Sequence, residues 1–278
     1  MKNFLKVLLV LPLILLSSCK SEDPETDKIV ELESKTYILS TVNNSGISGS
    51  ARFNKNSNFT LSIELNVSGI TNNDLRSAFL FLDNAANDGG VVALTLDPVF
   101  GEGTTGTSTT VFTALDDNTP ISYEELLNFD GHIEVRSNDA NINLSSADAV
   151  ADIGQNELTS SQVTYELEER DLADALGTVT FKKRLNGEAL AVFDLEGTPS
   201  GKILPAHIHA NDAVTGGPII FTFNSVNGTT GFSETNIETL DNNTAFLYDD
   251  VLTVNGYVNV HFENNLSLLI AQGNIGIN

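Results

Sequence analysis

Three of the four histidines in this chain lie in two short segments with the alternating pattern of β-strands. His207 and His209 flank Ile208, and His261 lies in the segment 257–262. Residues two apart on a strand project from the same face, so the first two imidazoles should lie side by side. Two imidazoles from one strand and a third from another could bind Zn²⁺ or Cu²⁺ and leave one coordination position open. We therefore predict a metal site formed by these three histidines.

Two interpretations of the three histidines remain open from the sequence alone. They could ligate a metal ion, or they could hydrogen-bond to the backbone and to each other and close one end of a domain. The sequence contains no glycine-rich phosphate loop, no Gly-x-Ser-x-Gly motif and no serine–histidine–acid set. We therefore predict no catalytic residues and a binding module. A metal-dependent enzyme or metal-handling protein that uses the three histidines is the alternative.

The histidines belong to the second copy of an internal repeat. A shift of 128 residues aligns Tyr37 with Tyr165, and a shift of 125 aligns Gly131 with Gly256. In this register the three histidines correspond to other residue types in the first copy: Phe79 for His207, Phe81 for His209 and Arg136 for His261. The ligands of one metal site are expected to be lost together, because the remaining ligands no longer bind the metal once one of them is replaced. The fourth histidine, His132, aligns with Tyr257, and we predict it to be an ordinary surface or strand residue.

Each copy has the size of an independent domain and the pattern of antiparallel strands. In the segment 59–67 every second residue is apolar, which is typical of a strand with one buried face. Similar short runs recur between clusters of Gly, Asn, Asp and Pro. We therefore predict an all-β protein of two tandem antiparallel β-sandwich domains, over residues 36–155 and 163–278, joined by a linker at 155–162. Only 122–129 and 237–240 are predicted to be briefly helical.

The N-terminus predicts a lipid-anchored protein of the cell envelope. Lys2 and Lys6 precede an apolar run from Val7 to Leu16 that is too short to span a membrane. The segment 1–18 is therefore predicted to be a signal peptide, and its end resembles the lipobox that precedes the acylated cysteine of bacterial lipoproteins. That cysteine would be Cys19, the only cysteine in the chain. Residues 19–35 would be a flexible acidic tether, and the protein would lie at the outer membrane or cell surface.

The charge of the chain excludes several classes of partner. The sequence has 14 basic and 37 acidic side chains and a formal net charge of −23. Removal of the signal peptide would take away two lysines and make the balance more acidic. Nucleic acid and anionic lipid surfaces are poor partners for a protein with this negative charge, because like charges repel. We expect the membrane to be contacted through the lipid alone, and we expect the partner to be an unknown extracellular protein or glycan.

The motifs that carry the histidines resemble those of a known family. Pro205-Ala-His-Ile-His209, then Gly217-Pro-Ile-Ile220, then Gly256-Tyr-Val-Asn-Val-His261 and a closing Gly273-Asn-Ile275 are similar to the signature of the CHRD domain of chordin and bacterial surface proteins. The first copy keeps the frame without these motifs and resembles a degenerate member. The resemblance implies a β-sandwich of immunoglobulin-like or Cu,Zn superoxide dismutase-like Greek-key type, with a function that is mostly undefined in bacterial members.

Overall fold

The structure is a computed structural model, and it describes residues 28–87, 90–137, 147–263 and 265–278. Strands account for 60% of the described residues and helices for 4%, which confirms the all-β prediction. The strands form two curled or closed antiparallel sheets that follow one another along the chain. The predicted signal peptide, Cys19 and residues 20–27 of the predicted tether lie outside the described residues. Neither helix found in the described part of the chain has the length and hydropathy of a membrane span.

The first half of the chain forms a closed eight-stranded barrel. Its strand order is β1-β2-β3-β6-β5-β4-β7-β8, and β8 returns to β1 through the pairs Ser40–Val150 and Thr41–Ala149. The elements of this half are β1 (Glu31–Thr41), β2 (Ser48–Asn56), β3 (Leu61–Ser68), β4 (Leu75–Leu82), β5 (Val92–Glu102), β6 (Thr105–Phe112), α1 (Tyr123–Leu127), β7 (Asp130–Ser137) and β8 (Ala147–Gly154).

The second half forms a ten-stranded antiparallel sheet with the order β12-β15-β16-β11-β10-β9-β18-β17-β13-β14. Its elements are β9 (Leu158–Glu169), β10 (Leu176–Arg184), β11 (Ala189–Glu196), β12 (Ile203–Leu204), β13 (Ala206–Ala210), β14 (Ile219–Thr222), β15 (Val226–Asn227), β16 (Phe232–Ile237), α2 (Tyr248–Val251), β17 (Asn255–Phe262) and β18 (Asn265–Gly276).

The two halves share one strand order once two interruptions in the second half are recognised. At the 128-residue shift, β4 corresponds to β12 and β13 together, and Pro205 alone separates those two strands. Proline has no backbone N–H and cannot donate to a sheet, so it divides the strand that Ser77 leaves continuous in the first half. In the same way β5 corresponds to β14 and β15. β12 and β15 lie at one end of the ten-stranded order, and β13 and β14 lie at the other end. Because β12 continues into β13 and β14 continues into β15 along the chain, the two ends of the sheet are close together and the sheet curls on itself.

This architecture confirms the sandwich prediction only in part. The described strands of each half belong to one continuous curled sheet rather than to two separate sheets. Each half still encloses a core of its own, built from the inward-facing residues of its strands. Phe53 and Leu80 lie in the first core, and Phe193 and Ile208 lie in the second. Alternate residues face inward along every strand, so the period-2 pattern predicts the core faces but does not reveal how the sheet closes.

Local boundaries differ from the sequence prediction at three places. The segment 158–162, predicted to be linker, is the start of β9, where exposed polar side chains on both faces conceal the strand pattern. β1 begins at Glu31, inside the predicted tether 19–35. The predicted helix at 122–129 is confirmed as α1, whose capping box is formed by Ser122 and Glu125. The helix predicted at 237–240 is wrong, since Ile237 ends β16 and the equivalent helix α2 lies later in the chain.

Candidate metal site

Two neighbouring strands of the second half bring the three predicted ligands together. β13 pairs antiparallel with β17, so that His207 lies opposite Asn259 and His209 lies opposite Tyr257. Ile208, between the two histidines, points the other way and is fully buried in the core. The backbone N–H of His261 donates a hydrogen bond of 2.8 Å to the carbonyl of Pro205, which fixes the end of β17 beside the start of β13. The side-by-side arrangement expected from the sequence is therefore present.

The ring nitrogens of the three histidines converge. One nitrogen from each of His207, His209 and His261 lies within 4.8 Å of the other two. The ring centroids are 5.2 Å apart for His207 and His261, and 6.0 and 6.1 Å apart for the pairs that include His209. For three atoms within 4.8 Å of one another, some point lies within about 2.8 Å of all three, against Zn–N bonds of about 2.0–2.1 Å. Small rotations of the rings would thus suffice to bind one ion.

Two of the three histidines are oriented by backbone carbonyls. Nδ1 of His209 donates to the carbonyl of Gly217 at 2.9 Å, and Nδ1 of His261 donates to the carbonyl of Leu266 at 2.8 Å. Each bond places the proton on Nδ1 and leaves the lone pair on Nε2, which is the usual arrangement in histidines that bind metal. Asn259 approaches Nε2 of His209 with its amide nitrogen at a long 3.4 Å.

Two nitrogens of the cluster are buried without a hydrogen bond. Nδ1 of His207 and Nε2 of His261 have no partner, although the two residues are only 7% and 4% exposed. A buried polar atom without a partner costs about 1–3 kcal/mol, so native proteins leave few of them. The alternative open at the level of the sequence is found in part: His209 and His261 bond to the backbone, but no hydrogen bond joins the three rings among these described side chains.

The environment favours the uncharged form of His207 and His261. Burial and then the neighbouring His261 and His209 lower the pKa of His207 to about 4. Burial also lowers the pKa of His261, against the opposing effect of its hydrogen bond to Leu266. Neutral imidazole is the form that binds metal, so at neutral pH protons do not compete strongly for these nitrogens.

Tyr257 supports the cluster, and the sequence analysis did not single it out for this role. Its ring stacks on that of His209, with centroids 4.9 Å apart and planes 19° apart. Its hydroxyl accepts a hydrogen bond of 3.1 Å from the N–H of Gly217, whose carbonyl receives the proton of His209. Tyr257 lies two positions from Asn259 and four from His261, so its location on the same strand face was the signal that could have identified it.

The equivalent place in the first half holds a different cluster. Phe81 replaces His209 and stacks on His132, with centroids 5.2 Å apart and planes 10° apart. The guanidinium of Arg136 lies 4.8 Å from the centre of the Phe81 ring and pairs with Glu134. The place where the second half has His261 is thus occupied by a guanidinium beside the apolar ring of Phe81. Phe79 is half-buried beside Phe81.

His132 is a buried strand residue. It is 1% exposed, and its ring nitrogens bond to the carbonyl of Asp83 at 2.7 Å and to the carboxylate of Glu134 at 3.1 Å. Of the two alternatives expected for it, surface or strand, the structure shows the strand. Both of its nitrogens have partners, in contrast to the unpartnered nitrogens of His207 and His261.

A comparison with known protein families finds a match, and the matched residues contain the histidine cluster. The family model of the CHRD domain matches residues 154–271, which include all of β9 to β17 and the three clustered histidines. No curated protein and no solved structure matches the chain. The match covers less than half of the chain and leaves the first barrel outside it. The second half of this chain is therefore similar to CHRD domains.

Proposed function

We propose that this chain is a lipid-anchored cell-envelope protein whose second half is an extracellular binding module with a three-histidine site for Zn²⁺ or Cu²⁺. The observation that carries the metal site is the convergence of one ring nitrogen from each of His207, His209 and His261. In this cluster one buried nitrogen of His207 and one of His261 have no hydrogen-bond partner. Hydrogen bonds from two of the rings to backbone carbonyls hold them in place. A bound ion would offset the desolvation cost of the free lone pairs.

The first half would act as a spacer that holds the second away from the membrane. Its shared strand order and its α1 at the place equivalent to α2 support descent from a duplicated domain that lost its site. The Arg136 guanidinium would supply the positive charge that an ion supplies in the second half. We infer that this half is a degenerate CHRD-like repeat without a metal.

Metal titration of the purified, demetallated chain tests the site. We expect one equivalent of Zn²⁺ or Cu²⁺ to bind at micromolar concentration, measured by calorimetry and by elemental analysis after desalting. The variant His207→Phe/His209→Phe copies the residues found at Phe79 and Phe81, and we expect it to lose the metal. His132→Gln is the control, since it removes a histidine whose nitrogens already have partners. Equal uptake by all three proteins, or no uptake by the parent chain, would refute the proposed site.

The lipid anchor requires a separate test. We expect radiolabelled palmitate to be incorporated into the chain in bacteria and the protein to fractionate with membranes. The variant Cys19→Ser should lose the label and be released. Retention of the label by this variant would contradict the proposed anchor at Cys19.

A metal-dependent enzyme or metal-handling protein is the second candidate. Three protein ligands leave a coordination position open for water or a substrate, as in catalytic zinc sites. Bound in this way, the ion would supply Lewis-acid chemistry or a redox centre. Hydrolytic or redox turnover that requires the metal and disappears in His207→Phe/His209→Phe would favour this candidate. A ligand that remains bound after metal removal would favour the binding module.

A further inference from the structure

A cavity of about 430 Å³ lies between the two halves of the chain, away from the three histidines. From the first half it is lined by the segment 150–152 of β8 and by four residues of β1: Thr36, Tyr37, Ile38 and Ser40. Arg184 at the end of β10 and Glu234 of β16 line it from the second. Junctions between domains are common places for small-molecule sites, and the volume lies in the usual range for them.

The wall of this cavity contains a buried cation that joins the halves. Arg184 is fully buried, and its Nη1 donates to the Asp152 carboxylate at 2.6 Å and to the carbonyl of Asn156. Its Nε donates to the side-chain oxygen of Asn236 at 2.7 Å. These bonds fix the guanidinium, but Nη2 has no hydrogen-bond partner. The fork of donors is thus only partly satisfied by the described residues, and one donor is left without an acceptor.

Two further polar groups of the cavity are unsatisfied. Tyr37 is 4% exposed, and its hydroxyl makes no hydrogen bond of normal geometry, although Lys35 and the backbone of Gly154 are nearby. The Glu234 carboxylate has no hydrogen bond or ion pair among the described residues, and burial raises its pKa. The cavity therefore offers a donor at Arg184, an acceptor at Glu234 and a hydroxyl at Tyr37 that can act as either.

The charges of the cavity argue against charged ligands. Asp152 pairs with Arg184 and Glu157 pairs with Lys35, so Glu234 is the lining carboxylate left without an ion pair among the described residues, and an anion would meet its repulsion. A cation could pair with Glu234 but could not accept from Nη2 of Arg184. A neutral molecule with several hydroxyl groups can donate to the carboxylate and accept from the guanidinium at the same time. Small apolar side chains such as Ala85 and Ala86 complete the wall.

We propose that this cavity between the halves binds a neutral, polyhydroxylated ligand of the saccharide class. The proposal gives a ligand class to the extracellular binding module proposed above and rests on that function for its setting. It does not rest on the metal site. The unpartnered atoms of Arg184 and Tyr37 do not touch solvent, so the wall must relax locally before a hydroxyl reaches them. This reorganisation lowers affinity, and we expect dissociation constants of about 1 mM, as for weak small-ligand sites.

Nuclear magnetic resonance of the isotope-labelled full chain tests the proposal with matched probes. Glucose, galactose and mannose are each added to about 20 mM, well above the expected dissociation constant. The amino sugars and uronates with the same ring configurations are added in parallel. We expect at least one neutral sugar to shift the Arg184 side-chain signal and the methyl signals of Ala85 and Ala86, and the charged forms to do so more weakly. No shift with any neutral sugar, or a preference for the amino sugars or uronates, would overturn the proposal.

Two alanine variants locate the binding. Ala86→Leu fills the cavity without removing a hydrogen-bonding group, and we expect it to abolish the sugar-dependent shifts. Ala213→Leu adds the same bulk at a separate cleft beside Gln272 and should leave the shifts unchanged. Shifts that persist in Ala86→Leu would place the binding elsewhere and overturn the assignment. Metal uptake measured on the same samples tests the three-histidine site independently, so failure of one proposal is distinguishable from failure of the other.

Discussion

Substitution of His207 by phenylalanine should stabilise the metal-free protein and abolish the benefit of metal. His207 is 7% exposed, and its Nδ1 has no hydrogen-bond partner. A histidine that served the fold through hydrogen bonds would instead destabilise the protein when replaced. The sign of the change therefore separates a binding role from a structural one.

The magnitude follows from two opposing effects. Removal of an unpartnered buried nitrogen should raise the free energy of unfolding by about 1–3 kcal/mol. The larger phenyl ring should lower the free energy of unfolding by about 1–3 kcal/mol if the surrounding residues cannot adapt to it. The first half accommodates Phe79 at the equivalent position, so we expect the packing cost to lie near the lower limit. The net expectation is a gain of about 1 kcal/mol in the free energy of unfolding without metal. With metal at 100 times its dissociation constant, the free energy of unfolding of the parent chain should rise by about 2.7 kcal/mol, and that of the variant should not change.

The assay is urea unfolding of both proteins, once with a chelator and once with excess Zn²⁺. The order of stability should reverse between the two conditions. His132→Phe is the matched control, because it removes a buried histidine whose two nitrogens have partners, and it should destabilise in both conditions. A loss of more than about 1 kcal/mol in metal-free His207→Phe, or equal stabilisation of parent and variant by zinc, would refute the reasoning.

Three further outcomes are expected. Arg184→Met should lower the free energy of unfolding by about 3–5 kcal/mol, because it removes a fully buried cation and leaves the half-buried Asp152 carboxylate without its ion pair and the Asn156 carbonyl without its donor. Arg52→Met breaks only exposed ion pairs and should lower the free energy of unfolding by less than about 1 kcal/mol in the same denaturation assay. The free energy of unfolding of the metal-free protein should fall by about 1–3 kcal/mol between pH 6.5 and pH 4, because the unfolded chain protonates His207 at its ordinary pKa while the folded chain does so only near 4. His207→Phe should remove much of this pH dependence. An unchanged dependence of stability on pH in this variant would contradict the assignment of the low pKa to His207. Gly231→Ala should lower the free energy of unfolding by at least about 2 kcal/mol, since φ is +71° and an added Cβ would lie 1.8 Å from a backbone oxygen. Gly201→Ala has a similar φ but open space around the added Cβ, and it should lower the free energy of unfolding by only about 1 kcal/mol.

Much of the local structure was predictable because it depends on neighbours in sequence. The alternation of apolar and polar residues identified the strands, and the spacing of His207 and His209 placed both on one face. The start of β9 was missed because its side chains are exposed on both faces, so no apolar alternation marks it. The division of one strand by Pro205 follows from the missing N–H of proline, but its consequence for sheet closure required the pairing partners of every strand.

The sequence by itself determined the all-β class, the internal repeat and the identity of the three candidate ligands. Only the tertiary structure decided that His261, more than 50 positions from His209, lies against it, because β13 pairs with β17 across the sheet. It also decided which nitrogens are free, since one orienting carbonyl belongs to Gly217 in the loop before β14 and the other to Leu266 in β18. Burial and through-space neighbours set the low pKa of His207. Such quantities depend on distances in space, which a linear order of residues does not contain.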